Sequence, residues 1–481
     1  MCLSMLLLAC LSVSGLTESI AFSQPSTLKY LITVIGPLAA AAIAMTKRYD
    51  LVILSLAILV APFNYVTTLS GFSFTPLQVL LIGGLLCSRF GPQSTTRRRP
   101  TLLMTMGLVF ALTLLGPMVR SEQRMNEVLL VAVVFAMAYL VALSARDPQG
   151  RKVVMASFIA ACAVQGAIGI WEFLTHHQIN LYSAAGSADY QGNYFFQFQG
   201  LFRVSAAFPN PIAMGNVLAM AVPILIALVV SVKGAGRQAL LFVAGLCILF
   251  GAVATLSRSS WLAIAIGAVV AMLFLGDRRV LKPLLGFSIV GVLAIVAAEN
   301  FAGPALLARA NTIFGSSTAA TGTSIGDFTR HVVQGGALRV FSDHPLTGVG
   351  LGNIAPYLGG GSVRDGQNAQ NYLCQMLAEA GFFAGAALLG ALGALAGVAV
   401  RALIAYRNIA AMLLAEIAVI AVVSSTDANF RYVQVSVFVA VIFGLGASLG
   451  TSAEVRAVHE KVLSTNADES VLQPDEVGSP A

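Results

Sequence analysis

The residues best able to do chemistry lie in one polar interruption of an apolar chain, Phe301 to Gln370, and in short segments at the ends of apolar runs. The interruption holds His344 before Pro345, glycines at 348, 350 and 352 followed by Asn353, then Asp365 and Gln370; Asn371 opens the next apolar run and Glu379 sits inside it. His344 could serve as a general base or as a structural hydrogen bonder. Glu379 lies about two turns into its run, where an ionisable residue is a functional candidate by default. Its expected partners are arginines at the same end, and its bland alternative is a structural ion pair. His331, His176 and His177 carry weaker signals.

The second source of chemistry is arginine. Arg203 stands in GLFRVSAAFPNPIAMGN and Arg258 in TLSRSSWLAIAI. Pro209 and Pro211 flank Asn210, which favours an extended entry and leaves a helix that begins with spare backbone N–H donors, a natural anion site. Arg258 lies between two apolar runs with almost no loop, where a charge must be paired or face a polar cavity, or else contact headgroups beside Trp261. The glycine pattern at 348, 350 and 352 does not fit a dinucleotide fingerprint, because no strand precedes it and no βαβ unit surrounds it. Such glycines allow tight turns and close backbone approach to a ligand or to the membrane surface.

The elements that must position these residues are helices in a bilayer. Of 481 residues 57% are hydrophobic and only 10% charged, with mean hydropathy +0.84, whereas soluble domains carry about 25% charged residues. Apolar stretches recur at 3–19, 28–46, 51–67, 74–90, 101–119, 127–144, 153–173, 205–231, 238–256, 260–276, 283–299, 371–399, 408–425 and 432–450, and about 20 such residues cross a hydrocarbon core as a helix. Segments of alternating hydrophobicity, which a barrel needs, do not occur. The fold class is therefore all-α, a polytopic integral membrane protein with roughly 12–14 transmembrane helices and one large extracytoplasmic loop. Residues 1–300 supply N-terminal spans with short loops, 301–370 the large loop, 371–450 the C-terminal spans, and 451–481 a polar tail expected to be disordered. Met1 to Val13 resembles a signal-peptide core without a basic n-region, and reads as a first span or as residues ahead of the true start.

Charge sets the orientation. Lys47, Arg48, Arg97–Arg99, Arg146, Arg151, Lys152, Lys233, Arg237, Arg278, Arg279, Lys282, Arg401 and Arg407 fall on alternate turns, which the positive-inside rule places, with both termini, in the cytoplasm. The opposite turns carry Lys29, Arg120, Arg124, Arg203, Arg258, Arg309, Arg330, Arg339, Arg364 and Arg431, all arginine but one. Guanidinium recognises phosphate bidentately and stays charged, so this extracytoplasmic face suits a phosphorylated ligand, lipid headgroups being the alternative for any single arginine. The net charge of +7 sits in inter-span turns rather than on a basic stripe, which argues against nucleic acid. The six cysteines show no metal-ligand or disulfide spacing, so no metal is expected.

Taken together, FRVSAAFPN, TLSRSSWL, the region from Arg330 through HPLTGVGLGN, and AQNYLCQMLAEAGFFAG resemble the O-antigen ligase and O-antigen polymerase superfamily of bacterial membrane glycosyltransferases. The resemblance spans Arg203 to Gly385. It implies an all-helical enzyme of the bacterial inner membrane that moves a glycan from an undecaprenyl-diphosphate carrier to a sugar hydroxyl without a cofactor. Arg203 and Arg258 would grip the diphosphate, with Arg330 and Arg339 as secondary members of the cluster. Asn353, Gln370 and Asn371 would position the loop or the acceptor. Ligases of the family usually carry a histidine where this chain has Gln370, and glutamine takes up no proton at neutral pH. Asp365, Glu379 or His344 would then serve, or the enzyme would work by positioning and leaving-group stabilisation. That departure inclines the reading to a polymerase of O-antigen, capsule or exopolysaccharide. A ligase passing finished glycan to lipid A core or protein is the alternative, and a secondary transporter or lipid-linked-glycan flippase is the alternative of another class. Expected partners are the undecaprenyl-diphosphate-linked oligosaccharide, membrane lipids and other polysaccharide assembly and export proteins.

Overall fold

The computed structural model describes residues 49–63, 67–69, 72–90, 102–120, 124–177, 197–198, 201–275, 323–358 and 369–450. In chain order, α1 (Tyr49–Val60) runs into a short 3-10 turn, β1 (Thr67–Leu69) and β2 (Phe72–Phe74) form an antiparallel pair with Thr67 opposite Phe74, and α2 (Pro76–Phe90), α3 (Leu102–Thr113), α4 (Leu115–Arg120), α5 (Arg124–Ser144) and α6 (Pro148–Thr175) follow. A second antiparallel pair, β3 (Gln197–Phe198) and β4 (Leu201–Phe202), leads into α7 (Pro211–Ser231), α8 (Ala235–Ala254) and α9 (Arg258–Leu275). The chain continues with α10 (Thr323–Asp343), α11 (Tyr372–Ala402), α12 (Arg407–Thr426) and α13 (Val433–Gly450). Among the described residues seven helices are long and apolar enough to cross a bilayer, namely α5 to α9, α11 and α12. Shorter apolar helices accompany them over Asp50–Phe63, Met104–Val119 and Val433–Leu449. The protein is an all-α polytopic membrane protein.

The expected spans at 3–19, 28–46 and 283–299, and the tail from 451, lie outside the described residues. The other expected stretches coincide with helices, two of them interrupted, at Leu114 and at Gly381. The run 101–119 breaks at Leu114, because Pro117 offers no N–H and its ring conflicts with the carbonyl four residues back, at Thr113. The polar stretch 301–370 also contains more regular structure than a loop. In α10, Val333, Ala337 and Val340 recur at helical spacing and are buried, while His331, Val332, Leu338 and Arg339 are exposed. Its buried stripe packs on Ile354, Leu358, Ala369 and Ala378, and so ties the stretch to α11.

α7 is the axis of the bundle. It contacts α6, α8, α9 and α12, and every residue from Ala213 to Leu228 is buried, so a sequence that is apolar all round meets protein on every side. Asn210 caps its start, accepting from the Ala213 N–H at 2.7 Å, and Pro211 occupies the first helical position, where its missing N–H costs nothing. Around this axis α6 and α8 touch through Gly166 and Gly251, where an added Cβ would strike the other helix's backbone, the small-residue contact that lets helices pack closely in lipid.

The helices alternate in direction, which sorts their ends. At one end lie the starts of α5, α7, α9, α11 and α13 with the close of α6, α8 and α12. The other end holds Arg146, Arg151, Lys152, Lys233, Arg237, Arg401 and Arg407. There Arg151 donates to the Arg146 carbonyl at 3.0 Å and stacks 4.9 Å above Tyr406, while Arg407 Nε reaches the Phe274 carbonyl at 2.9 Å.

Candidate active site

The first half of the site is a corner between the segment 203–210 and the turn joining α8 to α9. Arg203 leaves β4 and is buried, with its Nε donating to the Thr255 carbonyl at 3.0 Å. The neighbouring Val204 N–H reaches the Ala254 carbonyl at 3.3 Å. Thr255, Leu256 and Ser257 complete the turn, and Arg258, half-buried, is the first residue of α9. The structure thus brings Arg203 to the same turn that delivers Arg258.

The segment is held from beneath by α6. Glu172, fully buried, accepts from the N–H groups of Ser205 at 3.0 Å and Ala206 at 2.8 Å, and Gln165 Oε1 accepts from Ala207 at 3.1 Å. These bonds fix a backbone in which Ala206 has φ 47, a left-handed conformation that a residue with a Cβ adopts only under constraint. Below the turn, Ser260 Oγ donates to Asn216 Oδ1 at 3.1 Å and pairs with Ser257 Oγ at 2.8 Å, so the polar groups near Arg258 are tied to the axis helix.

The second half is a seam between Pro345–Gly352 and α11. Gly381 has φ 79 and breaks the helix. In an unbroken helix the Phe382 N–H would bond the Ala378 carbonyl. Here it donates to the Pro345 carbonyl at 2.8 Å, and the released carbonyls of Ala378 and Glu379 accept from Val349 at 3.0 Å and Gly350 at 2.9 Å. Gly348, Gly350 and Gly352 all have positive φ. A Cβ on Gly348 would run into the Glu379 backbone. The glycines therefore permit close approach, as expected, but to the backbone of α11.

At this seam three charges meet. Arg431 Nη2 lies 3.1 Å from Glu127 Oε1 and Nη1 lies 3.4 Å from Glu379 Oε1. Burial works to lower the affinity of Arg431 for its proton, but the charges of Glu379 and Glu127 outweigh it and raise the pKa above the ordinary arginine value. Glu379, fully buried, also accepts from Gln375 Nε2 at 2.6 Å, and Gln375 Oε1 in turn accepts from the Ala369 N–H at 2.7 Å. The next residue, Gln370, has φ 50 and its carbonyl accepts from Gln334 Nε2 at 3.3 Å. The two halves are linked where Asn210 Nδ2 reaches Asn429 Oδ1 at 3.4 Å, two residues before Arg431.

Of the residues singled out in the sequence, Arg203, Arg258, Glu379, Gln370, Asn371 and Asn353 fall at this end of the bundle. Asn371 caps α11, accepting from Cys374 N–H at 3.0 Å and donating to the Ser425 carbonyl at 3.2 Å. Asn353 Nδ2 reaches back to the Val349 carbonyl at 3.4 Å. His344 follows the end of α10 with an exposed side chain, and Arg339 is exposed on the same helix. Arg330 lies on α10 with its side chain outside the described residues, and Asp365 lies outside them altogether. Arg431, Glu127, Gln375 and Glu172 escape a reading of the sequence. Arg431 is visible there only as one outer arginine among nine and Glu127 only as a charge at the start of an apolar run.

The arrangement presents two buried or half-buried guanidinium groups on one turn, at the end where five helices begin. Helix N-termini carry partial positive charge and unused N–H donors, so the whole end favours an anion. No protein among the curated ones matches the chain. Residues 242–389, from α8 past the Gly381 break, match the family model described as O-antigen ligase, which is consistent with the O-antigen ligase and polymerase superfamily that the motifs resemble.

Proposed function

We propose that the protein polymerises polysaccharide repeat units on the extracytoplasmic face of the bacterial inner membrane, with both termini in the cytoplasm and an undecaprenyl-diphosphate-linked glycan as donor. The acceptor hydroxyl oxygen forms a bond to the anomeric carbon of the donor while the bond from that carbon to the diphosphate oxygen breaks. The electron pair leaves with the diphosphate, and Arg203 and Arg258 receive the charge that develops. A preorganised donor at a developing anion contributes about 10²–10³ in rate. The observation that supports this reading is the bonding of Arg203 to the turn that leads into Arg258; the Arg203 side chain is held before substrate arrives, so it needs little reorganisation as the bond breaks.

The product is set by the acceptor. Gln370, in place of the histidine of family ligases, supports a polymerase acting on a second lipid-linked repeat. The family description supports a ligase that transfers finished glycan to lipid A core or protein. In the test, Arg203→Ala and Arg258→Ala are expected to abolish elongation from purified lipid-linked repeats while the protein still inserts. Full-length polysaccharide from both variants refutes the reading. A deletion strain that accumulates single repeats supports polymerase, and one that retains long polymer on its carrier lipid supports ligase.

A further inference from the structure

A hydroxyl attacking an anomeric carbon must lose its proton, and the carboxylates at this end differ in whether they can reach it. Glu379 is fully buried. Glu172 is fully buried and spent on the N–H groups of Ser205 and Ala206. Asp427 accepts within its own turn, from Ala428 N–H at 2.7 Å and Asn429 Nδ2 at 3.1 Å. Glu127 differs. Its side chain keeps 15% of its surface exposed, Arg431 holds Oε1 at 3.1 Å, and among the described residues no hydrogen bond is made to Oε2.

We propose that Glu127 is the catalytic base for the acceptor hydroxyl, oriented by Arg431, which Glu379 and Gln375 hold in place. The inference rests on the glycan-transfer reading above and names the proton acceptor in it. As the acceptor oxygen bonds to the anomeric carbon, its proton passes to Glu127 Oε2, and the electron pair of the breaking bond departs on the diphosphate; the proton is later released to water. Proton transfer this late needs only a modest base, because the hydroxyl turns acidic as its oxygen bonds to carbon. Arg431 divides its charge between two carboxylates, which leaves Glu127 anchored and still able to accept. It is a positioning residue, as are Glu379 and Gln375. The Asn210–Asn429 contact ties the turn that carries Arg431 to the segment that begins with Arg203, so the proposed base and the leaving-group arginines stand at the same end of the bundle.

The test separates a base from a structural carboxylate by using azide, a nucleophile with no proton to lose. Purified full-length protein is given a lipid-diphosphate-linked repeat with either a sugar acceptor or azide. Glu127→Gln is expected to slow transfer to the sugar about 10²–10⁴-fold, to form glycosyl azide at the wild-type rate, and to lose the acidic limb of the pH–rate profile. Glu127→Asp is expected to recover part of the transfer to the sugar. Arg203→Ala is expected to fail with both acceptors. If Glu127→Gln matches wild type on the sugar, or is slowed equally on both acceptors, the assignment of Glu127 is overturned alone. Wild-type protein that transfers to neither acceptor overturns the glycan-transfer reading and the assignment with it.

Discussion

Replacing Arg431 with alanine isolates the energetics of the three-charge group. At an effective dielectric constant of about 20, an ion pair at the separation of Arg431 and Glu379 attracts by about 5 kcal/mol, and the pair with Glu127 by a similar amount. Removing Arg431 also removes the cost of desolvating its guanidinium, which offsets much of that attraction. Glu379 then stays fully buried, left among the described residues with two neutral donors, Gln375 Nε2 and the Gly352 N–H. Breaking a buried pair from one side costs about 3–5 kcal/mol, and Arg431→Ala is placed near the lower end because the arginine side chain is 24% exposed. The unfolding free energy is measured in mixed micelles by tryptophan fluorescence, since Trp171 and Trp261 both sit at the site end. The decisive comparison is Arg431→Ala with Arg431→Ala/Glu379→Gln. Glutamine carries no charge to strand, so the double variant is expected to be the more stable by about 1–3 kcal/mol. Equal stability of the two would refute the claim that Glu379 depends on Arg431.

Other perturbations follow from the same contacts. Glu172→Ala removes an acceptor of two backbone N–H groups, bonds to a charged group being worth about 1.5–3 kcal/mol each; elongation is expected to fall by raising the donor KM more than the acceptor KM, measured with purified lipid-linked repeats. Gly381→Ala puts a Cβ against the backbone of Leu346 and Thr347 at φ 79 and adds about 1–3 kcal/mol of backbone strain; protease cleavage between residues 345 and 352 is expected to speed up well before the bundle unfolds. Glu416 is fully buried midway along α12 with neither carboxyl oxygen hydrogen-bonded among the described residues. Glu416→Met is expected to raise the unfolding free energy by about 1–4 kcal/mol with elongation unchanged, and a lower stability would show that the carboxyl has a partner.

The spans were legible because a bilayer core demands long apolar runs, and little else in a sequence produces them. The breaks inside them were less so: Pro117 gave a local signal for the interruption at Leu114, whereas nothing in LAEAGFF separates Gly381 from a glycine tolerated within a helix. The helix Thr323–Asp343 was hidden by its polar composition, although Val333, Ala337 and Val340 carry the period. The arginine corner was readable because Arg203 and Arg258 each sit where topology disfavours a cation. Glu379 was readable as a charge in an apolar run with an arginine partner to be found. That partner was not identifiable, since Arg431 lies 52 residues from Glu379 and 304 from Glu127 and no local pattern records contacts across such distances.

The seam between Pro345–Gly352 and α11 is built from main-chain donors and acceptors, and this shapes what the chain can tolerate. Such a join is indifferent to most side chains that pass through it, so the exposed Leu346 and Thr347 can vary in size and polarity, whereas Val349 packs on the apolar stripe of α10. The burden of keeping the join falls on the glycines at 348 and 381, where any added atom meets backbone. Variation in the side chains along this edge can thus accumulate without loosening the scaffold that carries them.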